Sequence, residues 1–171
     1  TYVAVRGGIG VDPILGSRAT DLLAGVGPPV LSDGGWLPVG VATTGPPVAG
    51  GSVPAPPDNI VLRVLPGPRD DWFAAGALAA LCREPYEVSP RSDRVGLRLS
   101  GPALERSRPG ELPSEGMVEG AVQVPPDGQP VLLLADHPLT GGYPVIAVVD
   151  AADVPLAAQA RPGQQIRFRV S

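Results

Sequence analysis

The stretch Val131-Leu132-Leu133-Leu134-Ala135-Asp136-His137-Pro138-Leu139-Thr140-Gly141-Gly142-Tyr143-Pro144-Val145-Ile146-Ala147-Val148-Val149 decides the fold. Two continuous apolar runs flank a loop of glycine, proline and polar residues. Runs this short do not make a free-standing helix, and unbroken apolarity fits central strands buried on both faces. Outward from there, Ile60-Val61-Leu62-Arg63-Val64-Leu65-Pro66 reads as another strand. Asp93-Arg94-Val95-Gly96-Leu97-Arg98-Leu99 has a period of two, which sets Val95, Leu97 and Leu99 on one face and Arg94 and Arg98 on the other. Gln165-Ile166-Arg167-Phe168-Arg169-Val170 alternates as a half-buried closing strand, and residues 1–6 read as a mostly buried strand.

Three helices are predicted. One spans about 18–25, with Ser17 or Thr20 as N-cap, Leu22 and Leu23 inward and Gly25 as the stop. A second runs from a cap at Asp70 or Asp71 to about Cys82, with Phe73, Ala77, Leu78 and Leu81 at helical spacing. A third starts at Asp150-Ala151-Ala152-Asp153 and ends near Gln159. Residues 41–59 form a Pro/Gly-rich linker, because proline removes backbone donors and glycine raises the entropy lost on ordering. With 23 glycines and 23 prolines among 171 residues yet 43% hydrophobic content, short strands joined by Gly/Pro turns satisfy both facts. The predicted fold is mainly β: a barrel over residues 60–171 carrying two helices, preceded by residues 1–40 as the tail of another subdomain.

Composition excludes several functions. A net charge of −4 argues against a nucleic-acid partner, which calls for a basic face. All 13 cations are arginines, so Schiff-base chemistry and a lysine phosphate clamp are excluded, and planar recognition of carboxylate or phosphate remains. One Cys and one His exclude an internal disulfide and a multi-histidine zinc site, so no metal is expected. No apolar run reaches membrane-span length and no signal peptide is visible, which predicts a soluble, cytoplasmic protein with no membrane partner. There is no nucleotide-binding fingerprint: the glycine pairs lack the strand–GxGxxG–helix setting, and GxxxxGK[ST] is absent.

The uncommon chemistry gathers in two loop stretches, 114–128 and 135–144. Ser114, Glu115, Glu119 and Gln123 occupy the first, with the carboxylates either in a solvated turn or as acceptors over a pocket beside the Gln123 amide. Asp136 and His137 end a central strand as an acid–base pair, in which the carboxylate raises imidazole basicity, or as a strand-end turn. A Ser114–His137–Asp136 triad can be assembled on paper, although Ser114 lacks a nucleophile-elbow sequence. Thr140-Gly141-Gly142-Tyr143 either lets backbone approach a ligand or simply turns tightly. Arg94 and Arg98 could clamp a carboxylate or face solvent from a barrel wall, and Cys82 reads as a core residue.

An ordered series of segments then resembles one family: Arg6-Gly7-Gly8-Ile9, Leu15-Gly16-Ser17-Arg18-Ala19-Thr20-Asp21, Leu37-Pro38-Val39-Gly40, Gly67-Pro68-Arg69-Asp70-Asp71, residues 92–101 and the two loop stretches. The family is the biotin-dependent carboxyltransferase type, also called allophanate hydrolase subunit 2 or Kip inhibitor antagonist, which includes the C subunit of prokaryotic 5-oxoprolinase. Its members start well before Thr1, so this chain resembles their C-terminal part. His137-Pro138-Leu139-Thr140 replaces a more usual Gln-Thr-Thr-like run before Gly-Gly-Tyr, which removes polar groups at 138 and 139. The resemblance implies a cyclophilin-like β-barrel and a subunit working with a paralogous partner of the allophanate hydrolase subunit 1 or Kip inhibitor type. It implies a small amide or lactam substrate, and ATP or carboxybiotin supplied by partner chains, with no cofactor bound by this one. Three activities follow as alternatives: ATP-dependent opening of 5-oxoproline to glutamate, regulatory antagonism of a kinase inhibitor, or carboxyl transfer to urea. For an amide substrate the residue chemistry offers Asp136, His137 and Gln123 as catalytic groups. Arg94, Ser114, Glu115, Thr140, Gly141, Gly142 and Tyr143 are then the substrate-binding ones.

Overall fold

The structure, a computed structural model, describes residues 3–22, 24–41 and 57–171, and the chain divides into two units, Thr1–Val53 and Pro54–Ser171. Most of the expected linker, residues 42–56, lies outside the described residues.

In the second unit, strands β1 (Ile60–Pro66), β2 (Tyr86–Val88), β3 (Gly96–Ser100), β5 (Ala121–Gln123), β6 (Val131–Leu133), β8 (Val145–Val149) and β9 (Gln165–Val170) close into a barrel. Their order around the wall is β1-β8-β5-β6-β3-β2-β9. β1 and β9 pair in parallel, from Ile60 opposite Ile166 to Val64 opposite Val170, and the other barrel pairs are antiparallel. Alternation does the sorting: Ile60, Leu62 and Val64 from β1, Leu97 and Leu99 from β3, and Ile166 and Phe168 from β9 fill the interior. Two further strands, β4 (Glu115–Gly116) and β7 (Thr140–Gly141), form a separate antiparallel ribbon, Glu115 opposite Gly141 and Gly116 opposite Thr140. Helices α1 (Ala77–Arg83) and α2 (Val154–Ala157) add Ala77, Leu81, Val154 and Ala157 to the same core.

The continuous apolar runs have a physical cause. Leu132, Ile146 and Ala147 belong to the barrel core, whereas Leu133 and Val145 join Met117 and Ala121 in a second cluster. Met117 directly follows β4, so the ribbon covers strands whose inner side is already buried. Two buried faces leave no position for a polar residue.

Five expectations are corrected. Val3 and Val5 are exposed and form no strand, while Thr1 and Tyr2 lie outside the described residues. No helix forms at 18–25: Asp21 and Val26 exchange backbone hydrogen bonds at 2.8 and 3.1 Å, and Asp21 Oδ1 accepts the Ala24 N–H at 2.9 Å. Gly25 and Gly27 sit at φ 64° and 123°, and this local side-chain pairing displaces the helix ladder. Leu22 is consequently 76% exposed, and Leu23 lies outside the described residues.

The long helix from Asp70 is interrupted as well. Asp70–Trp72 is a single 3₁₀ turn, Phe73 is extended, and α1 starts only after Gly76 at φ 87°, with no side-chain cap from either aspartate. Phe73 bridges to Arg106, the Ala74 N–H donates to the Glu105 carbonyl at 3.0 Å, and the Ser107 N–H donates to the Trp72 carbonyl at 2.9 Å. Strand-like pairing with a distant segment wins over local helix propensity. Likewise β3 starts at Gly96, because Asp93 Oδ1 accepts the Val95 and Gly96 N–H groups at 2.9 and 3.1 Å. That turn leaves Val95 43% exposed and puts Arg94 outside the strand, so Arg94 and Arg98 share no strand face. The expected third helix is reduced to the single turn of α2, its predicted start being a turn around Asp150.

Asp153 serves the barrel wall instead of capping α2. Its carboxylate accepts Arg63 Nε and Nη2 at 2.9 and 2.7 Å and the Arg63 backbone N–H at 2.8 Å. Bonding to the Arg63 side chain first, and to its backbone N–H second, pulls the Asp153 carboxyl down to about 2 from an ordinary 3.8. A depressed folded-state value stabilises the fold above about pH 4, and that contribution is lost as pH falls through about 2. Arg63 is 40% exposed, so screening reduces the contribution to roughly 1–2 kcal/mol. Asp153→Asn is expected to lower the melting temperature at neutral pH and to flatten its dependence between pH 2 and 4. Parallel melting curves for the two proteins across that range would contradict the assignment.

Candidate functional site

The ribbon does more than cover apolar wall. β5 carries a register irregularity between Val122 and Gln123, and Gln123 pairs with Val145 on β8 and Val131 on β6. Gln123 is only 7% exposed, the one buried polar side chain among the described residues. Its Nε2 donates to Met117 Sδ at 3.0 Å and to the Tyr143 carbonyl at 3.4 Å. A thioether is a weak acceptor and the second bond is long, so this donor group is under-used where it stands. A buried amide in that condition is available to a stronger acceptor.

Gly141 makes the arrangement possible. A Cβ built there would stand 2.7 Å from Gln123 Nε2 and 3.2 Å from Met117 Cγ, so the ribbon lies directly on the amide. The ribbon is tied to the barrel by Glu115, whose carboxylate accepts from Arg69: Nε lies 3.0 Å from both oxygens, and Nη2 also contacts Oε1. Arg69 follows Gly67, whose N–H donates to the Ile146 carbonyl at 2.8 Å, and the Arg69 N–H reaches the Val145 carbonyl at 3.2 Å. This bonding to Arg69 holds the Glu115 carboxyl below, and the Arg69 guanidinium above, their ordinary values. From the segment that bridges to Phe73, Arg106 Nη2 donates to the Val124 carbonyl, and its guanidinium lies 6.0 Å from the Tyr143 ring centroid. Gln123, Tyr143, Arg106 and the Arg69–Glu115 pair thus meet where the ribbon crosses β5 and the start of β8.

The sequence-predicted residues divide into two groups. Glu115, Gln123, Thr140, Gly141, Gly142 and Tyr143 come together here, with Ser114 preceding β4. Asp136 and His137 follow the far end of β6, whose first residue, Val131, is the one opposite Gln123. Asp136 pairs there with Arg94, Oδ1 and Oδ2 lying 3.1 and 3.0 Å from Nη2, and its backbone N–H donates to the Arg94 carbonyl at 3.1 Å. His137 Nδ1 lies 2.9 Å from the Pro138 carbonyl. The acid–base pair and the paper triad are therefore not formed: the carboxylate is taken by Arg94, the imidazole by a neighbouring carbonyl. Among the described residues no hydrogen bond joins Ser114 to either. Arg94 stands with Asp136, away from the end of β6 that faces Gln123. Reading adjacent residues as a pair misled, since the chain turns there, the His137 N–H donating to the Leu134 carbonyl at 2.9 Å, and each side chain finds a different partner.

Arg69 and Arg106 were missed as site residues. Arg69 carried a signal, a cation just after the Gly67-Pro68 turn at a strand end, whereas Arg106 sits in a loop of mixed charge, 104–108, with no pattern. Cys82 is half-buried, and burial pushes its thiol up, which fits a core role. Among the described residues no helix is long and apolar enough to cross a membrane, and no group of three His, Cys, Asp or Glu side chains could hold a metal.

A mainly β barrel with this ribbon is the architecture of a carboxyltransferase-type domain, and the sequence matches the carboxyltransferase domain, subdomain A and B, over residues 1–170. The chain belongs to that family. It is 42% identical over 171 residues to the C subunit of 5-oxoprolinase from Escherichia coli (strain K12), covering 98% of this chain and 55% of that protein. It spans about half the length of the curated relatives it matches at 42% and 36% identity. Among solved structures, that of TTHA0988 superposes with a TM-score of 0.77 at 42% identity, covering 95% of this chain and 31% of the other. The K. lactis urea amidolyase superposes with a TM-score of 0.71 at 25% identity, covering 95% and 11%.

Proposed function

We propose that this chain belongs to a subunit of a 5-oxoprolinase-type complex that opens the lactam of 5-oxoproline to glutamate, coupled to ATP. The observation that carries this reading is the 42% identity to the 5-oxoprolinase C subunit, which runs through barrel, ribbon and site alike. The site chemistry agrees. Lactam opening develops negative charge on a carbonyl oxygen, and a buried carboxamide N–H held by weak acceptors is a donor that a stronger acceptor can claim. Gln123 supplies that donor, Gly141 allows it close to the ribbon, and the Arg69–Glu115 pair holds the ribbon in place. Partner chains supply ATP, or carboxybiotin for carboxyl transfer. The chain carries no phosphate-cradling glycine motif and no lysine for biotin attachment, so no step here runs through either.

The likeness to urea amidolyase favours a second reading, carboxyl transfer to urea, which also polarises a small amide. One experiment separates the two. The full-length subunit, assembled with its paralogous partner and an ATP-binding subunit, is expected to release glutamate from 5-oxoproline only when ATP and all subunits are present. A demonstrably assembled complex that leaves 5-oxoproline intact and carboxylates urea overturns the first reading in favour of the second.

A further inference from the structure

Arg106 stands apart from the other arginines of this unit that make charge contacts. Arg63, Arg69, Arg94 and Arg108 each pair with a carboxylate. Arg106 has no carboxylate partner among the described residues, although it is half-buried. Its acceptor there is the Val124 carbonyl, and its buried Nε–H has none. Nearly all buried donors in folded proteins are satisfied, and a half-buried cation without a counter-charge is costlier still. The side chain is nevertheless well positioned. Its backbone is pinned by the bridge to Phe73, its Nη2 by the carbonyl next to Gln123, and its guanidinium plane by the Tyr143 ring at 6.0 Å. Gln123 contacts the carbonyl of that same Tyr143, so the tyrosine has an amide donor at its backbone and a cation at its ring. Tyr143 itself is 42% exposed, which leaves this corner open to a small molecule.

We propose that Arg106 is the anion-recognition residue of this site: it binds the carboxylate of a small amide-bearing acid while Gln123 holds the amide carbonyl. The naming of 5-oxoproline as that acid rests on the oxoprolinase reading. Arginine suits the task because its planar N–H groups match a carboxylate and keep their charge at any working pH.

The test is steady-state kinetics of the assembled full-length complex on 5-oxoproline and on its primary amide, 5-oxoprolinamide. Arg106→Met is expected to raise KM for 5-oxoproline about 10²-fold with kcat changed far less, and Arg106→Lys to recover part of the loss. The wild-type preference for the acid over the amide is expected to vanish in Arg106→Met. A structural role alone would not move that preference. An unchanged KM and an intact preference in a variant that assembles overturn the proposal and leave the oxoprolinase reading standing. Should Arg106→Met fail to fold, Arg106→Lys reads the same KM and preference. Should the wild-type complex not turn over 5-oxoproline, the functional reading falls, and equilibrium binding of the acid and the amide to the full-length subunit decides about Arg106. Acid-selective binding that Arg106→Met abolishes supports it, and equal binding of acid and amide overturns it.

Discussion

Gly67→Ala is expected to unfold the barrel unit at temperatures where the native chain is stable, lowering its stability by about 3 kcal/mol or more. Gly67 ends the β1 run against β8, and a Cβ there would stand 2.3 Å from the Val145 carbonyl oxygen, 2.7 Å from the Ala147 nitrogen and 2.8 Å from the Ile146 carbonyl carbon. Each of these atoms is backbone of a central strand, so none can swing aside as a side chain would. Relief requires β1 and β8 to separate, which breaks the bond from the Gly67 N–H to Ile146 and draws Arg69 away from Glu115. For a unit of this size the loss corresponds to a fall in melting temperature of roughly 10 °C or more. Gly116 supplies the control: a Cβ there meets nothing within 4 Å, and Gly116→Ala is expected to melt within a few degrees of the native chain. If Gly67→Ala melts like Gly116→Ala, the close approach of β1 to β8 is not as described.

Gly141→Ala is expected to do the opposite, leaving the fold intact and removing activity. Its Cβ would also come too close, but to side-chain atoms: 2.7 Å from Gln123 Nε2, and 3.2 and 3.3 Å from Met117 Cγ and Sδ. Side-chain ends can retreat, so the stability loss stays near about 1 kcal/mol. The amide that retreats is the one assigned to polarise the substrate carbonyl. Loss of one such preorganised donor lowers turnover about 10²-fold. Gln123→Ala is expected to match Gly141→Ala within a few-fold, because both remove the same donor from the same place, and combining them should add little. Glutamate release from 5-oxoproline by the assembled complex, read beside a melting curve, separates the effects. Near-native turnover in both variants would remove Gln123 from the chemistry, whatever the complex does.

The functional consequence is a division of labour along one ribbon. β4 and β7 bury the outer side of β5, β6 and β8, and in doing so leave the Gln123 side-chain amide with weak acceptors, Met117 Sδ and the Tyr143 carbonyl. An isolated barrel without the ribbon would leave Gln123 in water, where its N–H groups find acceptors freely and polarise nothing.

The strand positions were legible because inward and outward side chains alternate at a period that a short window reveals. Leu97 and Leu99 in β3, and Ile166 and Phe168 in β9, face the core as their spacing demands. The apolar runs around 131–135 and 145–149 likewise announced strands without a solvent face. Gln123, Gly141 and Tyr143 were legible as unusual chemistry near those strands, though not as neighbours. The helices failed where local signals were weak and a remote partner was strong: Phe73 takes its conformation from Arg106, and Asp21 turns the chain before a helix can nucleate.

Sequence alone thus determined which segments extend, which way most of their apolar residues point, and the family to which the chain belongs, because these depend on periodicity and on ordered motifs. Only the tertiary structure decided which charges meet. Arg69 finds Glu115 at a separation of 46 residues, Arg63 finds Asp153 at 90, and Asp136 turns to Arg94 and away from adjacent His137. Those partners follow from strand register around a closed barrel, a long-range quantity that no local window contains.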